Sequence, residues 1–414
     1  MANTFVTNKK TDLVALRAAE AAAYLTVGSK AYFKDQLEGK RNGRSYEFVI
    51  RDAGEYAEGM DMSDHVSNLV ERKITKDIKL GNIVIDTNLL EKVADVEWDR
   101  EIAVQNGKKL INGVVKATVD SDIGLQNTAF VGTGWMPLSK ASRFLGSISS
   151  DKRYAFIDPM IDSVMAAGGK SFTPVEAEPL YKTGMLGDFS GTEFRESQFM
   201  PNIDVSADLA NKLASATVSS IAVSSITVVD STNGIERAID INVITLSDAS
   251  IQIKKGMPIF IDGFYACDTV GDKTSSLAAF VAMQDATGKV ITYKKDFTGV
   301  GTREVCDADG KNIDIANISS PKLVNTLTEG NYFVGLFRVD GAMEFETLSK
   351  LDWSNADATS DSVEGVKVLE ARAVDVVKGT NKTRWAVASL AGIVEPRACT
   401  LVLVKDGTAN LVAM

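Results

Sequence analysis

A chain of 414 residues has room for two or three domains, and 45% hydrophobic with 24% charged residues is the balance of an ordinary globular protein. The formal net charge of −10 argues against a protein whose main work is gripping nucleic acid, which needs a basic stripe. The longest nearly apolar run, Trp385 to Val394, is about half of the ~20 residues a membrane helix needs, and the first ten residues lack the apolar segment of a secretory signal, so a soluble protein is expected.

Met1 to Arg44 carries eight basic residues against four acidic ones, a basic arm on an acidic body. Within it Leu13, Leu16, Ala19 and Ala23 recur at helical spacing behind Thr11-Asp12 as a cap, which predicts a short amphipathic helix over Thr11 to Tyr24. Its apolar stripe is too narrow to make a core alone, so it must lean on something else. From Ser45, Tyr46, Phe48 and Ile50 alternate with Glu47, Val49 and Arg51, a period-two strand. Residues 54–68 read as polar loop, and Leu69 to Ile85 as a second strand charged at Glu71, Lys73 and Lys76. Together they form a long ribbon, marginal in water by itself. The only histidine, His65, falls in that loop, and no Gly-x-Ser-x-Gly elbow supplies a nucleophile for a triad.

Asn88 to Val119 predicts a helix with a break near Asp95. Trp98, Ile102, Leu110, Val114 and Ala117 make one stripe; Val104, Ile111, Val115 and Thr118 make a second beside it. A helix covered on much of its circumference is a central spine. Gly107 and Gly113 each cost it about 1 kcal/mol relative to Ala, so tertiary packing must hold it.

Five of the eight prolines lie between Pro137 and Pro201. Here a strand at Arg153 to Asp158 leads into a helix from Pro159 to Ala167, closed by Gly168-Gly169, and the texture is mixed α/β. Glu176 and Glu178 have ordinary surface spacing. Val218 to about Ser319 is rich in Val, Ile, Thr and Ser, with turns at Asn233-Gly234, Asp262-Gly263, Asp272, Gly288 and Asp309-Gly310, which predicts an all-β barrel or sandwich. Gly299-Val-Gly301 lacks the third glycine of a nucleotide loop. Asp307 to Asp314 looks like a calcium loop but lacks the closing Glu, so a tight turn is the better account. After Pro321 the mixed pattern resumes, with strands at Val366 to Val377, Thr383 to Ile393 and Thr400 to Val404. Cys267, Cys306 and Cys399 are odd in number and far apart, the pattern of buried free thiols. Nothing specifies a reaction, a cofactor or a metal, and the chain reads as no enzyme.

This order resembles the coat proteins of short-tailed bacteriophages with the Hong Kong 97-like fold and an inserted β-domain. Arg153-Tyr-Ala-Phe-Ile-Asp158-Pro159 is similar to that family's strand-then-Asp-Pro-helix step. Gly184 to Pro201 resembles the glycine-punctuated strand and Ser…Pro link before the insertion, and Ile226 to Gly263 resembles the start of the inserted domain. The resemblance implies an α+β chain: N-terminal arm 1–44, E-loop hairpin 45–86, spine helix region 87–122 and a peripheral/axial (P-domain and A-domain) part 123–204. An inserted all-β domain over 205–325 and a second axial/peripheral part over 326–414 complete it. It further implies a major capsid protein, a homo-oligomer closing an icosahedral shell around double-stranded DNA without sequence-specific binding. The remaining implications are a scaffolding protein and a portal as partners, a procapsid stage, no membrane, assembly in the bacterial cytoplasm and residence in the virion. One departure is that the loop from Asp230 to Asn242 also holds Glu236 and Arg237, so its charge is mixed where the family carries an acidic two-fold contact.

The physical expectation is that arm, ribbon and polar loops lack a core of their own and complete themselves on sister copies. The candidate subunit-interface residues are Leu13, Leu16 and Arg17 on the arm; Tyr46, Phe48, Arg51, Glu71, Arg72, Lys73 and Lys76 on the ribbon; and Asp230, Glu236, Arg237 and Asp240 in the β-rich region. Deleting Met1 to Leu25 is then expected to leave a folded monomer unable to assemble. Lys–Asn cross-links, known in some relatives of this fold, could be imagined between Lys73 or Lys76 and Asn381. The alternative is another phage structural or surface protein, from a tail or surface layer, with one β-sandwich module. The absence of repeated β-domains weighs against it.

Overall fold

The computed structural model describes residues 2–32, 45–51, 71–86, 102–161, 188–189, 191–229, 234, 236–299, 301–348, 356–359, 363–375 and 380–407. The chain opens with helices α1 (Ala2–Ala21) and α2 (Ala23–Thr26), strand β1 (Ser29–Lys30) and the ribbon strands β2 (Ser45–Arg51) and β3 (Glu71–Asp86). The spine helix α3 (Val104–Gly124) follows, then β4 (Thr128–Thr133), α4 (Met136–Ile148) and β5 (Arg153–Ile157). Next come β6 (Asp188–Phe189), β7 (Thr192–Glu196), β8 (Asn202–Val205) and α5 (Ala207–Ser215). The β-rich stretch holds β9 (Val218–Val229), β10 (Glu236–Leu246), β11 (Gln252–Ile253), β12 (Pro258–Cys267), β13 (Lys273–Val281), β14 (Ala286–Thr287), β15 (Lys289–Tyr293) and β16 (Val305–Cys306). It ends near a single 3₁₀ turn at Ile315–Asn317, and the chain closes with β17 (Gly330–Val339), β18 (Met343–Thr347), β19 (Ala356–Thr359), β20 (Leu369–Asp375), β21 (Thr380–Ile393) and β22 (Cys399–Lys405). The architecture is α+β.

Two seven-stranded sheets organise the chain. One runs β1-β18-β21-β20-β19, with β3 also pairing β21 and β2 pairing only β3 among the described strands; the other runs β4-β22-β17-β5-β7-β6, with β8 on β17. The spine helix lies against β3 and β21. It buries Leu110, Ile111, Val114, Val115 and Thr118 of the two predicted stripes, and Val119 beside them, while Ile102, Val104 and Ala117 are half-buried; it continues to Gly124, one turn beyond the predicted end. Gly81 lets it come so close: a Cβ there would lie 1.9 Å from the Leu110 carbonyl oxygen, the role glycine takes when another backbone approaches a strand. α4 presents Leu138, Ala141, Phe144 and Leu145 to the second sheet's core, an i, i+3, i+6, i+7 stripe.

The arm departs from expectation. α1 begins at Ala2, not at a Thr11 cap, and the Thr11 hydroxyl donates instead to the buried Glu370 carboxylate. Its buried face is Val14, Ala15, Ala18, Ala19 and Ala22, while Leu16 is 39% exposed and Leu13 half-buried. Small side chains win the inward face because α1 crosses α3 at Gly107, where a Cβ would stand 2.7 Å from Arg17 Cβ and 2.8 Å from the Val14 carbonyl oxygen. β1 then pairs in parallel with β18, Ser29 opposite Met343. Residues 10–30 thus complete themselves on their own chain, contrary to the expectation that the arm needs a sister copy.

From β8 the chain leaves the second sheet, and it rejoins at β17, which pairs with β8 through Gly330 opposite Val205. Between them, three small sheets, β15-β10-β9, β13-β12-β16 and β11-β14, share no strand pairing with the two large ones among the described residues. Asp262-Gly263 is no turn: it lies inside β12, where the register with β13 shifts between Phe260 and Tyr265 and Gly263 takes φ +82°, a β-bulge. The Asp307 turn closes as expected, its Oδ1 accepting from the backbone N–H of Asp309 (2.9 Å) and Lys311 (2.8 Å). Cys267, Cys306 and Cys399 are buried free thiols. Burial pushes the Cys267 and Cys306 thiols up, away from the reactive thiolate.

Candidate functional site

Where ionisable groups meet deep in the chain, they clamp elements together. Arg338 on β17 donates from Nη2 to the Tyr24 carbonyl (2.7 Å) and the Val27 carbonyl (2.5 Å), and from Nη1 to Met343 Sδ. Its guanidinium stands over the Tyr24 and Phe156 rings at 5.1 and 4.6 Å, and burial pulls its pKa down. Beside it Asp122 on α3 accepts from the Tyr24 hydroxyl (2.8 Å) and the Ile393 N–H (3.0 Å). Burial first, and the Asp122 charge second, push the Tyr24 phenol up. One buried knot thereby ties the arm, the spine and both large sheets. Glu370 does the same for α1 and β21, accepting from Thr11 and from Trp385 Nε1 (3.3 Å).

Lys295, just after β15, is 5% exposed and donates from Nζ to the Gln126 carbonyl and Asn127 Oδ1, each at 3.1 Å. A buried cation is favoured there because carbonyls past a helix C-terminus carry partial negative charge. Arg397 holds the Glu395 carboxylate through Nε (2.8 Å) and Nη2 (3.0 Å) and reaches the Gly301 carbonyl at 2.5 Å. Most polar atoms of these clamps are committed to one another, although Arg338 Nε is buried without a hydrogen-bond partner among the described residues.

A cleft of about 1080 Å³ lies between the C-terminal half of α3 and the β9–β10 hairpin. Its charges are paired: Lys255 with Asp120 of α3 at 3.5 Å, and Lys294 with its strand neighbour Asp240 at 3.2 Å. Among the described residues no group of three or more His, Cys, Asp or Glu side chains gathers as a metal site. His65 lies outside the described residues, as do Trp98, Glu176, Glu178, the 54–68 loop and most of the predicted 159–167 helix.

The predicted interface residues fall into three places. On α1, Leu16 is exposed, Leu13 packs half-buried against the chain's own core, and Arg17, half-buried at the crossing with α3, is ion-paired to Glu20 at 2.8 Å. On the ribbon, the register sets Tyr46 opposite Lys76, Phe48 opposite Ile74, Val49 opposite Lys73, Ile50 opposite Arg72 and Arg51 opposite Glu71. β3 meets β21 only from Ile78 onward, so residues 45–51 and 71–77 run clear of the sheet as a two-stranded strip, about 24 Å long at ~3.4 Å per residue. On the hairpin, Glu236 and Asp240 are exposed and Arg237 half-buried; Asp230 lies outside the described residues. β15 covers β10 only from Ile241 to Thr245, so Glu236–Asp240 pair β9 alone, and Val223 and Val229 on β9 are 50% and 56% exposed. The imagined Lys–Asn link is not brought together within one chain. Asn381 pairs Val374 at the far end of β21, beside Asp86, roughly 30 Å along β3 from Lys76 at ~3.3 Å per residue.

Sequence reading missed Gly81 and the lysines on the open face of α3. The signals were there: a glycine inside a strand pattern, and a helix in which Lys108, Lys109 and Lys116 are the only charged residues from Val104 to Val119.

No family model and no curated protein sequence matches the chain. Solved structures do. The capsid of cyanophage P-SCSP1u is 9% identical over 89% of this chain and 85% of that one, with a TM-score of 0.42. The head of Helicobacter pylori bacteriophage KHP40 is 8% identical over 91% and 88%, with a TM-score of 0.42. The virus-like particle from Pyrococcus furiosus is 8% identical over 96% and 99%, with a TM-score of 0.38. Two are phage head or capsid structures and one is a virus-like particle.

Proposed function

We propose that this chain is a shell-forming coat subunit of the Hong Kong 97-like type, acting by binding copies of itself around double-stranded DNA. The observation that carries the reading is the β2–β3 ribbon, seven residues on each strand, whose described pairing is only with itself. A two-stranded strip is marginal alone in water, and a neighbouring subunit would supply the surface it lacks. The free end of the β9–β10 hairpin, with Val229 exposed opposite Glu236 and with Arg237 and Asp240 on the same stretch, offers a second contact of mixed charge. Symmetric repetition of such modest contacts closes an assembly.

In this reading residues 45–86 are the E-loop, 87–122 the spine region, and 205–325 a domain set into the shell framework; the side-by-side entry and exit strands β8 and β17 support that last assignment. A scaffolding protein, a portal, a procapsid stage, assembly in the host cytoplasm and a place in the virion belong to the same proposal. Electron microscopy of the purified full chain, alone and co-expressed with the scaffolding gene's product, tests it. Closed particles are expected. Monomers under every condition, or fibres and flat sheets in their place, overturn it.

A further inference from the structure

From Val104 to Val119 every charged side chain of α3 is basic, on a chain whose net charge is −10. Lys108, Lys109 and Lys116 are all exposed, and none has an ion-pair partner among the described residues. The polar Gln105 and Asn112 stand among them, and the first acid beyond, Asp120, is already held by Lys255. Lys109, Gly113 and Lys116 share one line, at i, i+4 and i+7. Gly113 is the second observation. It is exposed, and a Cβ there would meet nothing within 4 Å, so no packing among the described residues requires a glycine at a position where alanine would make a better helix. Glycine in such a place suits an external body that comes close to the backbone.

We infer that this face is a contact surface for the phosphate backbone of duplex nucleic acid, and so the face turned toward the enclosed polymer; the inference rests on the shell reading above. The three lysines spread over about 12 Å of helix axis at ~1.5 Å per residue. Duplex DNA, with one negative charge per ~1.7 Å, neutralises them in any register and needs no pocket. Gln105 and Asn112 supply the kind of side-chain donors that meet phosphate oxygens. An acidic protein would instead need carboxylates at matching intervals. Three charges per subunit make a weak contact that still lets the polymer move, and a shell repeats it many times.

The test is the salt dependence of binding of a 20-base-pair duplex to the full-length chain, read by fluorescence anisotropy. Replacing all three lysines (Lys108→Gln, Lys109→Gln, Lys116→Gln) is expected to reduce the slope of log K against log salt by about 2.7, three contacts at ~0.9 each. Gly113→Gln, which keeps the charges but fills the gap, is expected to weaken binding several-fold with the slope unchanged. An unchanged slope in the triple variant, with native helicity by circular dichroism, overturns the inference. So does polyglutamate competing as well as the duplex, which would point to an acidic protein segment. Micrographs of the same samples keep the two readings apart: wild-type chain that binds DNA through these lysines yet forms no particles counts against the shell alone.

Discussion

At Gly81 a methyl group has nowhere to go, because the nearest atoms belong to the α3 backbone, which cannot yield as a side-chain tip can. Gly81→Ala is therefore expected to destabilise by about 3 kcal/mol or more. At Gly113 the same methyl meets open space, and Gly113→Ala should stabilise by up to about 1 kcal/mol. Urea midpoints of the two variants check the pair, and shifts of the same sign would refute the packing of β3 on α3. Asp158 gives a pH-dependent counterpart. Burial raises its pKa from the ordinary 3.8, with the Glu196 charge adding to the rise and the Met160 N–H (2.8 Å) opposing it. A folded pKa above the unfolded one means the fold prefers the proton, so stability declines as pH rises from about 3.8 through the raised value, and at neutral pH the charge is a penalty. Asp158→Asn keeps an acceptor for Met160 and removes that penalty. The variant should be more stable than wild type at pH 7, with the advantage vanishing as pH falls below the ordinary carboxylate value; a constant advantage across pH would contradict it.

Among the elements, α1 and the ribbon look alike in sequence, as terminal or polar-flanked segments without a core, yet they behave oppositely. Val14, Tyr24 and Leu25 are fully or nearly buried in the chain's own core. At about 1.5–3 kcal/mol for each such side chain, their loss alone rivals the ~5–15 kcal/mol that holds a typical domain together. Deleting Met1 to Leu25 is thus expected to abolish cooperative unfolding, seen as lost near-ultraviolet circular dichroism; a folded truncated monomer, the outcome sequence reasoning favoured, would disprove the docking. The ribbon should be dispensable to the monomer. Ser45 and Asp77 sit opposite each other, so replacing Tyr46 to Lys76 with a short turn should move the melting temperature by less than ~2 °C while eliminating particles. Alternation made the ribbon legible, and twin apolar stripes made the spine legible. The inner face of α1 escaped because Ala15, Ala18 and Ala22 carry little hydrophobic signal until Gly107 brings α3 against them. β17 escaped for the opposite reason: eight of its ten residues are buried, so it has no alternation to read. The knots around Arg338 and Glu370 join residues more than 300 positions apart, and no local pattern announces them.

For the molecule as a whole, the decisive question is whether the β-rich stretch unfolds with the rest. Its apolar residues Met257, Phe280 and Val290 lie in one continuous cluster with Ile123 of the spine and Ile203 of β8. Lys295 fastens the same junction through two hydrogen bonds to residues just past α3. A shared core and a buried cation together predict one cooperative transition in calorimetry, although β9 to β16 have no strand pairing with the large sheets among the described residues. Lys295→Met keeps most of the side-chain volume but leaves the Gln126 carbonyl without its Lys295 donor, a loss of about 1–3 kcal/mol for a buried polar group. That loss falls at the seam, so the variant should melt earlier and over a broader range, with the β-rich stretch leaving first. Two well-separated transitions in the wild type would instead make residues 205–325 an independent folding unit, attached to the spine by contact but not dependent on it. Under the proposed shell reading, a cooperative seam would deliver a force on the β9–β10 hairpin to α3, the helix that carries the lysine face.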